Sequence, residues 1–313
     1  QIGYTELSSL APPSSSSSPV SSSDEDTSST DETLGDPNLL GGLYHDDAIT
    51  NILLLGVDDY QANDVGRSDS MMMVSIDTRH KKLKLTSFMR DLYVAIPYHG
   101  SNKLNAAYPL GYQQNGAAGG GQLAVSTIEA NFGVDIDRWV EVDMDAFRHL
   151  IDKMGGVEIT VTDAEADLIN QNSGEDSSKY LPGAGTYTLT GRQANYYARI
   201  RAIGDDFGRT QRQRNVMESV IEQFRDADLM TINDMIIAAV PEVKTNISKS
   251  ELLKLAMNSL TYLKYPIEQA RVPFDDAYEN ARSPSAGAVL VPDLYRNSEE
   301  MVEFIYEDDI PEI

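Results

Sequence analysis

From Asp47 onward, hydrophobic positions follow two interleaved patterns. Short aliphatic or alternating runs that end at Gly, Asp or Pro are typical of strands, whereas apolar residues three and four positions apart are typical of helices. The strand pattern covers residues 51–59, 71–77, 82–88, 137–144, 157–161 and 287–292. The helical pattern covers residues 122–132, 145–156, 193–199, 209–224, a segment that begins at 248, and 298–306. This interleaving predicts an α/β fold, a three-layer α-β-α sandwich with a central mixed sheet.

Polar residues and glycines mark the ends of the predicted helices. Thr190 with Gln193, and Ser248 with Glu251, have the spacing of a capping box at a helix start. Gly155 and the glycine after it close the helix over 145–156. The glycines at 119–121 lack the Lys-Ser or Lys-Thr that follows a phosphate-binding loop, so we interpret them as a flexible turn.

The first 46 residues differ in composition from the rest. Residues 11–37 are mostly Ser, Pro and acidic residues, with almost no large apolar side chain. Such a segment cannot bury enough apolar surface to offset its ordering entropy, so we predict a disordered linker over 1–46 and one domain over 47–313. Because the chain begins with Gln1 and runs straight into this linker, we expect that a membrane anchor normally precedes it. An ordinary disordered tail explains the same composition.

The overall composition disfavours several classes of function. Asp and Glu number 49 against 25 Lys and Arg, a formal net charge of −24, which argues against nucleic acid or an anionic membrane surface as the main partner. The chain has no cysteine, hence neither a disulfide framework nor a thiolate site. Its four histidines lack metal-ligand spacing, and neither a GxSxG nor an HExxH motif occurs, so nucleophilic and zinc chemistry are poorly supported. No run of about 18 apolar residues could span a bilayer.

Six arginines nevertheless concentrate between residues 192 and 214. An arginine side chain presents a planar fork of donors that matches two phosphate oxygens at once, so this concentration favours a pocket for a multiply charged anion. Arg209 and Gln213 share one helical face, and Arg209 lies in a first helical turn, where exposed N–H groups favour an anion. Arg199 and Arg201 point to one side only if their stretch is extended. A solvated face in which the preceding aspartates compensate Arg209 is the alternative.

Carboxylates and a further arginine follow the predicted strands. Asp58 lies at the end of a strand, where α/β sheets bind ligands, although a turn cap is the commoner explanation of such a residue taken alone. Asp69 lies at the entrance of the next strand and approaches Asp58 if the two strands are antiparallel. Two carboxylates with an open, oxygen-rich side suit Mg²⁺. Arg90 and Asp91 follow the strand that ends at residue 88, with Lys103 and Asn105 within reach; alone, such a pair is a surface ion pair worth ~0–1 kcal/mol.

Six short motifs occur in a fixed order along the chain. They are GVD at 56–58, RSD at 67–69, RDLYVAIP at 90–97, KLNAAY at 103–108, LTGRQANYYARIR at 189–201 and DDFGRTQRQ at 205–213. Together they resemble the LytR–CpsA–Psr family of Gram-positive cell-wall enzymes. The resemblance covers residues 51 to about 223, and the segment at 289–306 resembles the family's end. Each motif is weak singly, whereas six in order are specific.

The resemblance implies a membrane-anchored, extracytoplasmic domain that transfers a glycopolymer from a polyprenyl-pyrophosphate carrier to peptidoglycan and leaves a phosphodiester. Asp58 and Asp69 would hold Mg²⁺ against the pyrophosphate, and an apolar groove would take the lipid tail. The pyrophosphate would be bound by Arg67, Arg90, Lys103, Arg199, Arg201, Arg209 and Gln213. Asp91 and Asp69 are both candidates for the base, and Arg90 would act beside them. The role of Arg212 stays open, and we expect Arg192 and Arg214 to be solvated or paired with acids.

The chain departs from the family pattern at two positions. Tyr60 stands where the family commonly has an arginine, which puts one pyrophosphate contact in doubt. Met89 replaces the usual proline before Arg90, a change that we expect to be neutral. Two other functions remain open, a module that binds or senses polyprenyl pyrophosphate without turnover and a hydrolase that uses water as the acceptor.

Overall fold

The computed structural model describes residues 2–5, 42–58, 66–225 and 229–307. In chain order its strands are β1 (Ile2–Thr5), β2 (Leu43–Asp46), β3 (Ile49–Val57), β4 (Ser68–Asp77), β5 (Lys82–Phe88), β6 (Tyr93–Ile96), β7 (Gly100–Lys103), β8 (Arg138–Asp143), β9 (Val157–Val161), β10 (Gly185–Leu189), β11 (Val243–Thr245), β12 (Ile267–Val272), β13 (Tyr278–Ser283) and β14 (Gly287–Pro292). Its helices are α1 (Ala107–Phe132), α2 (Met144–Lys153), α3 (Asp163–Asn172), α4 (Gly191–Arg199), α5 (Asp206–Arg225), α6 (Leu229–Ala239), α7 (Lys249–Tyr262) and α8 (Leu294–Tyr306).

A six-stranded sheet, counted within the described residues, is the middle layer of the fold. Its strand order is β11-β8-β3-β4-β5-β12. β3 pairs antiparallel with β4 and parallel with β8, while β5 pairs antiparallel with β4 and parallel with β12. Two-stranded ribbons formed by β1–β2, β6–β7, β9–β10 and β13–β14 lie outside this sheet. The predicted mixed central sheet is confirmed.

Helices cover both faces of the sheet. On one face, Leu53 and Met73 pack into a core shared with α1 and α8. On the other face, Met72 and Leu85 pack with residues of α5 and α7. Because β3 and β4 are covered on both faces, their sequences are nearly continuous apolar runs, as doubly buried strands require. The three-layer α-β-α sandwich is therefore confirmed.

Both capping boxes predicted from the sequence are formed. The Thr190 hydroxyl accepts from the backbone of Gln193 at the start of α4, and the Thr190 N–H donates to the Gln193 side chain. Ser248 and Glu251 make the same pair of bonds at the start of α7. The helices α5 and α8 begin earlier than predicted, because their first turns lack the apolar spacing on which the prediction relied.

The glycines at 119–121 lie inside α1, so their interpretation as a flexible turn is wrong. The helix consists of two segments joined at Asn115 and Gly116, where the backbone leaves the helical conformation. A Cβ added at Gly121 would lie 2.3 Å from the indole of Trp139. The glycine is therefore required by close packing of α1 on the sheet, a tertiary contact that local sequence does not reveal.

The predicted division between linker and domain lies between residues 46 and 47. Tyr44 in β2 is buried in the core shared with α1 and α8, and its backbone bonds Gly133 and Asp135. The strand Leu43–Asp46 thus packs as part of the folded domain, just before the predicted start. β1 pairs with β2, whereas residues 6–41 lie outside the described residues, and the disorder of the linker stays a prediction. None of the described helices combines the length and apolar character needed to cross a bilayer.

We expect Gly121→Ala to lower the free energy of unfolding by about 1–3 kcal/mol, because the added methyl group overlaps the buried indole of Trp139. Urea titration followed by circular dichroism measures the change. Gly208→Ala in α5 is the matched control, since its Cβ would meet Arg212 at 3.7 Å, an ordinary contact. The control should leave stability unchanged or raise it by up to about 1 kcal/mol. Wild-type stability of Gly121→Ala would contradict the packing described for α1.

Candidate active site

The end of β3 and the start of β4 lie side by side at one end of the sheet. Gly56 pairs with Ser70, but the next residue, Val57, pairs with Ser68. Asp69 is therefore the extra residue of a β-bulge. A bulge re-aims a side chain relative to the regular alternation of the strand, and bulges are common next to functional sites. The sequence predicted that Asp69 approaches Asp58 if the two strands are antiparallel. β3 and β4 are antiparallel.

Backbone contacts bring Asp58 and Asp69 to one carbonyl group. The Asp58 N–H donates to the Arg67 carbonyl at 3.2 Å, and the Asp69 N–H donates to the same oxygen at 3.0 Å. A Cβ on Gly66 would lie 2.0 Å from the Asp58 carbonyl oxygen, so only glycine allows this approach. The Gly-Arg-Ser-Asp sequence therefore sets the relative position of the two carboxylates.

Cationic and amide donors surround the Asp69 carboxylate. It accepts from Arg90 at 3.0 and 3.1 Å, from Arg201 at 3.2 Å and from Asn105 at 3.2 Å. Burial alone would raise the pKa of Asp69, but the charge and hydrogen bonds of Arg90, with the charge of Arg209, hold the pKa below its usual value. Asp69 is therefore ionised at neutral pH and is a weak proton acceptor.

Arg199 and Arg201 reach the same end of the sheet from α4. The helix ends at Arg199, and Arg201 lies beyond it in non-helical backbone. The sequence predicted that the two side chains point to one side only if this stretch is not helical. Arg199 donates to Asp58 at 3.3 Å, and Arg201 donates to Asp69 at 3.2 Å. Both arginine side chains are almost half exposed, so each ion pair contributes little and can exchange for a ligand.

Arg209, in the first turn of α5, is only 2% exposed. Its Nη2 donates to Asp206 at 2.8 Å, whereas its Nε and Nη1 are buried and have no hydrogen-bond partner among the described residues. Burial lowers the pKa of Arg209 to about 10; Asp206 opposes this shift, while Arg90 and Arg201 reinforce it. The sequence offered pairing with a preceding aspartate as the alternative role of Arg209. That pairing satisfies only one of the three guanidinium nitrogens of Arg209.

Arg90, Asp91 and Lys103 form the far side of this cluster. The Lys103 amino group lies 2.6 Å from Asp91, and Arg90 Nε lies 3.4 Å from the same carboxylate. Burial alone would lower the pKa of Arg90, but its pairing with Asp69 raises it above the usual value. The Arg-Asp pair, which alone indicated only a surface ion pair, thus belongs to a larger network.

Two contributors to the cluster received no role from the sequence. Asn105 lies in the KLNAAY motif, and its side-chain amide supports Asp69. Asp206 was considered only as a counter-charge to Arg209, but it also lies 3.6 Å from Arg90 Nε. The sequence indicated Asn105 only by its position two residues after Lys103. It indicated Asp206 only by its position shortly before an arginine in a predicted helix.

Other predicted positions lie at the margin of the cluster. The Arg67 side chain is exposed and makes no contact with the cluster within the described residues, so its binding of pyrophosphate stays a prediction. Tyr60 lies outside the described residues. Met89 is buried, and its N–H donates to the Val272 carbonyl at 2.9 Å, a bond that the proline usual in the family could not make.

The remaining arginines of the 192–214 stretch have structural contacts. Arg212 is buried and donates to Glu165 at 2.8 Å and to two backbone carbonyls after α4. Arg214 is also buried and donates to two glutamine side chains, so the expectation that it is solvated or paired with acids is wrong. Arg192 is exposed and donates to a backbone carbonyl at 2.9 Å.

An apolar cavity of about 430 Å³ adjoins the cluster, between the sheet and the helices α2, α4, α5, α6 and α7. Its walls include Leu54, Met72, Val142, Val216, Val220 and Ile232. Its polar lining includes Ser70, which lies beside the bulge, Arg199, which contacts Asp58, and also Asn195, Gln213 and Ser259. Arg199 therefore belongs to both the cavity and the cluster. The lining draws on distant segments, which is why the sequence did not reveal it.

Asp58 and Asp69 supply two carboxylates beside this opening. That is the number Mg²⁺ takes from a protein when phosphate oxygens and water complete its shell. Neither belongs to a set of three converging carboxylate or imidazole ligands within the described residues. The donor set thus fits an ion that a phosphate ligand helps to hold, rather than a permanently caged one.

Two histidines, not expected to bind metal from their spacing, lie in acidic clusters elsewhere. His45 lies 2.8 Å from Asp135 and 3.1 Å from Asp47. Burial alone would lower the pKa of His45, but these hydrogen bonds and the charge of Asp135 raise it, which favours the protonated ring. In the second cluster, which contains His80, the buried amino group of Lys84 is itself the cation. Both clusters are therefore ion-paired in themselves.

Comparison with known proteins gives consistent matches. A profile of the LytR_cpsA_psr family matches residues 14–289. The polyisoprenyl-teichoic acid–peptidoglycan teichoic acid transferase TagU of Bacillus cereus (strain AH820) is 34% identical over 229 residues, 72% of this chain and 69% of that protein. The crystal structure of B. subtilis TagV is similar with a TM-score of 0.64 and 28% identity, over 85% of this chain and 100% of that one.

A further similar structure contains a lipid. The family protein YwtF (TagT) with bound octaprenyl pyrophosphate lipid matches with a TM-score of 0.60 and 25% identity, over 83% of this chain and 91% of that one. The fold and the sequence motifs thus agree with matches that span most of the chain. The chain belongs to the LytR–CpsA–Psr family.

Proposed function

We propose that this protein transfers a glycopolymer from a polyprenyl-pyrophosphate carrier to peptidoglycan, forming a phosphodiester. The observation that carries the proposal is the place of Arg199, which lines the apolar cavity and also donates to Asp58 in the charged cluster. A ligand that fills both must have a long apolar part joined to a multiply charged anion. Polyprenyl pyrophosphate has that composition, and the names and bound lipid of the relatives support the same ligand class.

The residues of the cluster fit the charge of such a ligand. Its cationic side chains are Arg90, Lys103, Arg199, Arg201 and Arg209, and its carboxylates are Asp58, Asp69, Asp91 and Asp206. The two sets nearly balance, so an anion with several charges needs additional positive charge. Mg²⁺ held by Asp58 and Asp69 would supply it, and when bound it would neutralise phosphate oxygens and assist the leaving group.

Phosphoryl transfer depends mainly on positioning and on stabilising charge. The acceptor hydroxyl oxygen forms a bond to the sugar-linked phosphorus, and the bond from that phosphorus to the bridging oxygen breaks, releasing polyprenyl phosphate. Arg209 is already desolvated and has two unbonded nitrogens, so it can donate to the pyrophosphate without first giving up other hydrogen bonds. Arg199 and Arg201, whose side chains are almost half exposed, exchange their pairing with Asp58 and Asp69 for phosphate oxygens.

The proton of the acceptor hydroxyl needs a nearby carboxylate. Asp69 is poorly suited, because three donors hold its charge and its pKa is lowered. One carboxylate oxygen of Asp91 lies 2.6 Å from the Lys103 amino group. The other oxygen has no partner as close, since Arg90 Nε lies 3.4 Å from it. We therefore assign Asp91 as the base and Asp69 as a residue that holds the metal and Arg90.

The site also suggests where the protein works. A substrate with a polyprenyl tail resides in a membrane, and peptidoglycan lies outside the cytoplasmic membrane of a Gram-positive cell. A domain on the outer surface, tethered by a membrane anchor before the linker, fits both partners. Fusion to a reporter that is active only outside the cytoplasm tests this placement in the complete gene product.

We expect Asp58→Ala and Arg90→Ala each to abolish transfer, a loss of roughly 10²–10³-fold or more in kcat, while the fold is kept. The first removes a metal ligand and the second removes the donor that holds Asp69 and stabilises the transferred phosphoryl group. The assay supplies lipid-linked glycan, oligomeric peptidoglycan and Mg²⁺. Covalent product indicates a transferase, released phosphosugar a hydrolase, and neither a binding module.

Exposed residues of the same type provide the controls. Asp167→Ala and Arg192→Ala lie outside the cluster and should keep activity within about twofold. Circular dichroism and the thermal unfolding midpoint check the fold of each variant. Wild-type turnover of Asp58→Ala or Arg90→Ala would refute the assigned roles, and unchanged turnover after exhaustive chelation would refute the magnesium requirement.

We expect Val220→Phe to lower the amount of polyprenyl phosphate that co-purifies with the protein by roughly tenfold, because the ring fills part of the cavity. Native mass spectrometry measures the retained lipid. Val220→Ile adds one methylene group and serves as the control, with near wild-type retention. Equal lipid retention by Val220→Phe and wild type would show that the tail does not enter this cavity.

A further inference from the structure

Exposed aliphatic side chains are concentrated on two helices. Among the described residues, the large hydrophobic side chains that are exposed are three scattered tyrosines and five aliphatic residues on α6, α7 and the turn after α6. The five are Met230 (75% exposed), Ile237 (63%), Val240 (48%), Leu253 (59%) and Met257 (67%). Single exposed apolar residues are ordinary, but such a cluster marks an interaction surface. We call these five side chains the α6–α7 outer patch.

The same helices contribute their opposite faces to the apolar cavity. Ile232, Met235 and Ala239 of α6 line the cavity, as do Ser259 of α7 and Leu263 just after it. The outer side of α6 is mixed, because Met230 and Ile237 are exposed there together with Thr231, Asn233 and Asp234. Exposed apolar side chains next to polar and charged groups are typical of a helix that lies at a membrane interface. The inner side of α6 covers the cavity, and its outer side exposes apolar side chains to the surroundings.

The charge of this segment differs from that of the rest of the chain. Residues 229–267 contain four lysines against three acidic residues, although the whole chain has a net charge of −24. Lys254 is exposed between Leu253 and Met257 on α7. The overall charge disfavoured contact with an anionic membrane surface, but this segment lacks the excess of acids that would cause repulsion. A lysine beside exposed aliphatic groups is typical of a surface that meets lipid headgroups.

The proposed substrate links the cavity to a lipid environment. The relative YwtF is known with a bound octaprenyl pyrophosphate lipid. A substrate of this class resides in a bilayer, so its tail must leave the bilayer to enter the apolar cavity. Among the described residues, the cavity walls formed by α6 and α7 are those that carry exposed aliphatic side chains on their outside.

We propose that the α6–α7 outer patch docks on the lipid bilayer, so that the polyprenyl tail passes between membrane and cavity at these two helices. The proposal rests on the proposed function for its substrate, but the docking itself does not require turnover. A second copy of the chain is the competing occupant of an exposed apolar face. The local charge and the continuity with the apolar cavity favour the membrane over a protein partner.

The test compares vesicle binding of the 313-residue chain with that of a triple variant, Ile237→Gln, Leu253→Gln and Met257→Gln. Co-sedimentation with vesicles of phosphatidylcholine and phosphatidylglycerol gives the partition coefficient. We expect the partition coefficient of the triple variant to be at least roughly tenfold lower than that of the wild type, because three aliphatic groups no longer enter the bilayer. Tyr295→Gln with Tyr180→Gln removes exposed aromatic groups elsewhere and should stay within about twofold of wild type.

A transfer assay on the same proteins separates this inference from the proposed function. With long-chain substrate in vesicles, the triple variant should lose about tenfold in kcat/KM, whereas with a water-soluble short-chain analogue it should match wild type. No transfer by the wild type on either substrate would refute the proposed function and leave the vesicle result as a separate finding.

Three outcomes would overturn the docking proposal. They are absence of vesicle binding by the wild type, equal binding by the triple variant, and loss of a dimer in the triple variant with no effect on vesicle binding. Analytical ultracentrifugation of the wild type and the triple variant detects the last of these. Because all three substituted side chains are exposed, misfolding is not expected, and circular dichroism verifies that each variant is folded.

Discussion

The bulge at Asp69 is the constraint on which the charged cluster depends. In a regular strand, side chains alternate between faces, and a shift of one residue moves every side chain to the opposite face. The extra residue lets β4 keep Met72 and Met73 in register with β3 while Asp69 turns toward Arg90 and Arg201. Gly66 completes the arrangement, because a side chain there would collide with the carbonyl of Asp58. The carboxylate pair is thus a product of strand register and of one small residue.

Around these carboxylates the protein concentrates positive charge that its own groups do not fully satisfy. Arg209 is the extreme case, since its guanidinium is buried, bonds one aspartate and keeps two nitrogens without partners in the described structure. A buried donor without a partner costs about 1–3 kcal/mol, more for a charged group. The proposed anionic ligand would offset this cost at Arg209, whereas Arg212, three residues further on, has its charge and hydrogen bonds satisfied within the protein.

The sequence predicted four of the six strands of the central sheet and most helices, because these leave local signals. Most residues of the cluster were predicted through the family motifs. Aliphatic runs mark β3 to β5, and capping boxes mark α4 and α7. The sequence separated Arg209 from Arg212 and Arg214, but it left the role of Arg212 open and did not predict the contacts of the buried Arg214 with glutamines, because the groups that pack against each face of a helix come from other elements. It misread the glycines at 119–121 for the same reason, since the partner of Gly121 is Trp139 on another element. The cavity lining combines residues from strands and helices throughout the domain, and no local pattern records such a set.

The helix α5 shows how the two halves of the site act together. Arg209 lies in the cluster, Gln213 lies at the cavity's polar lining, and Val216, Val220 and Phe224 continue along the cavity wall. At 1.5 Å per residue, this stripe spans about 22 Å from the first to the last of these residues. A single rigid element therefore fixes the distance between the charged group and the tail of an amphiphilic ligand. In the proposed function, the phosphorus of such a ligand would lie beside the carboxylates while its tail lies along the same helix. The continuity of α5 would then favour a lipid-linked substrate without separate recognition of the polymer.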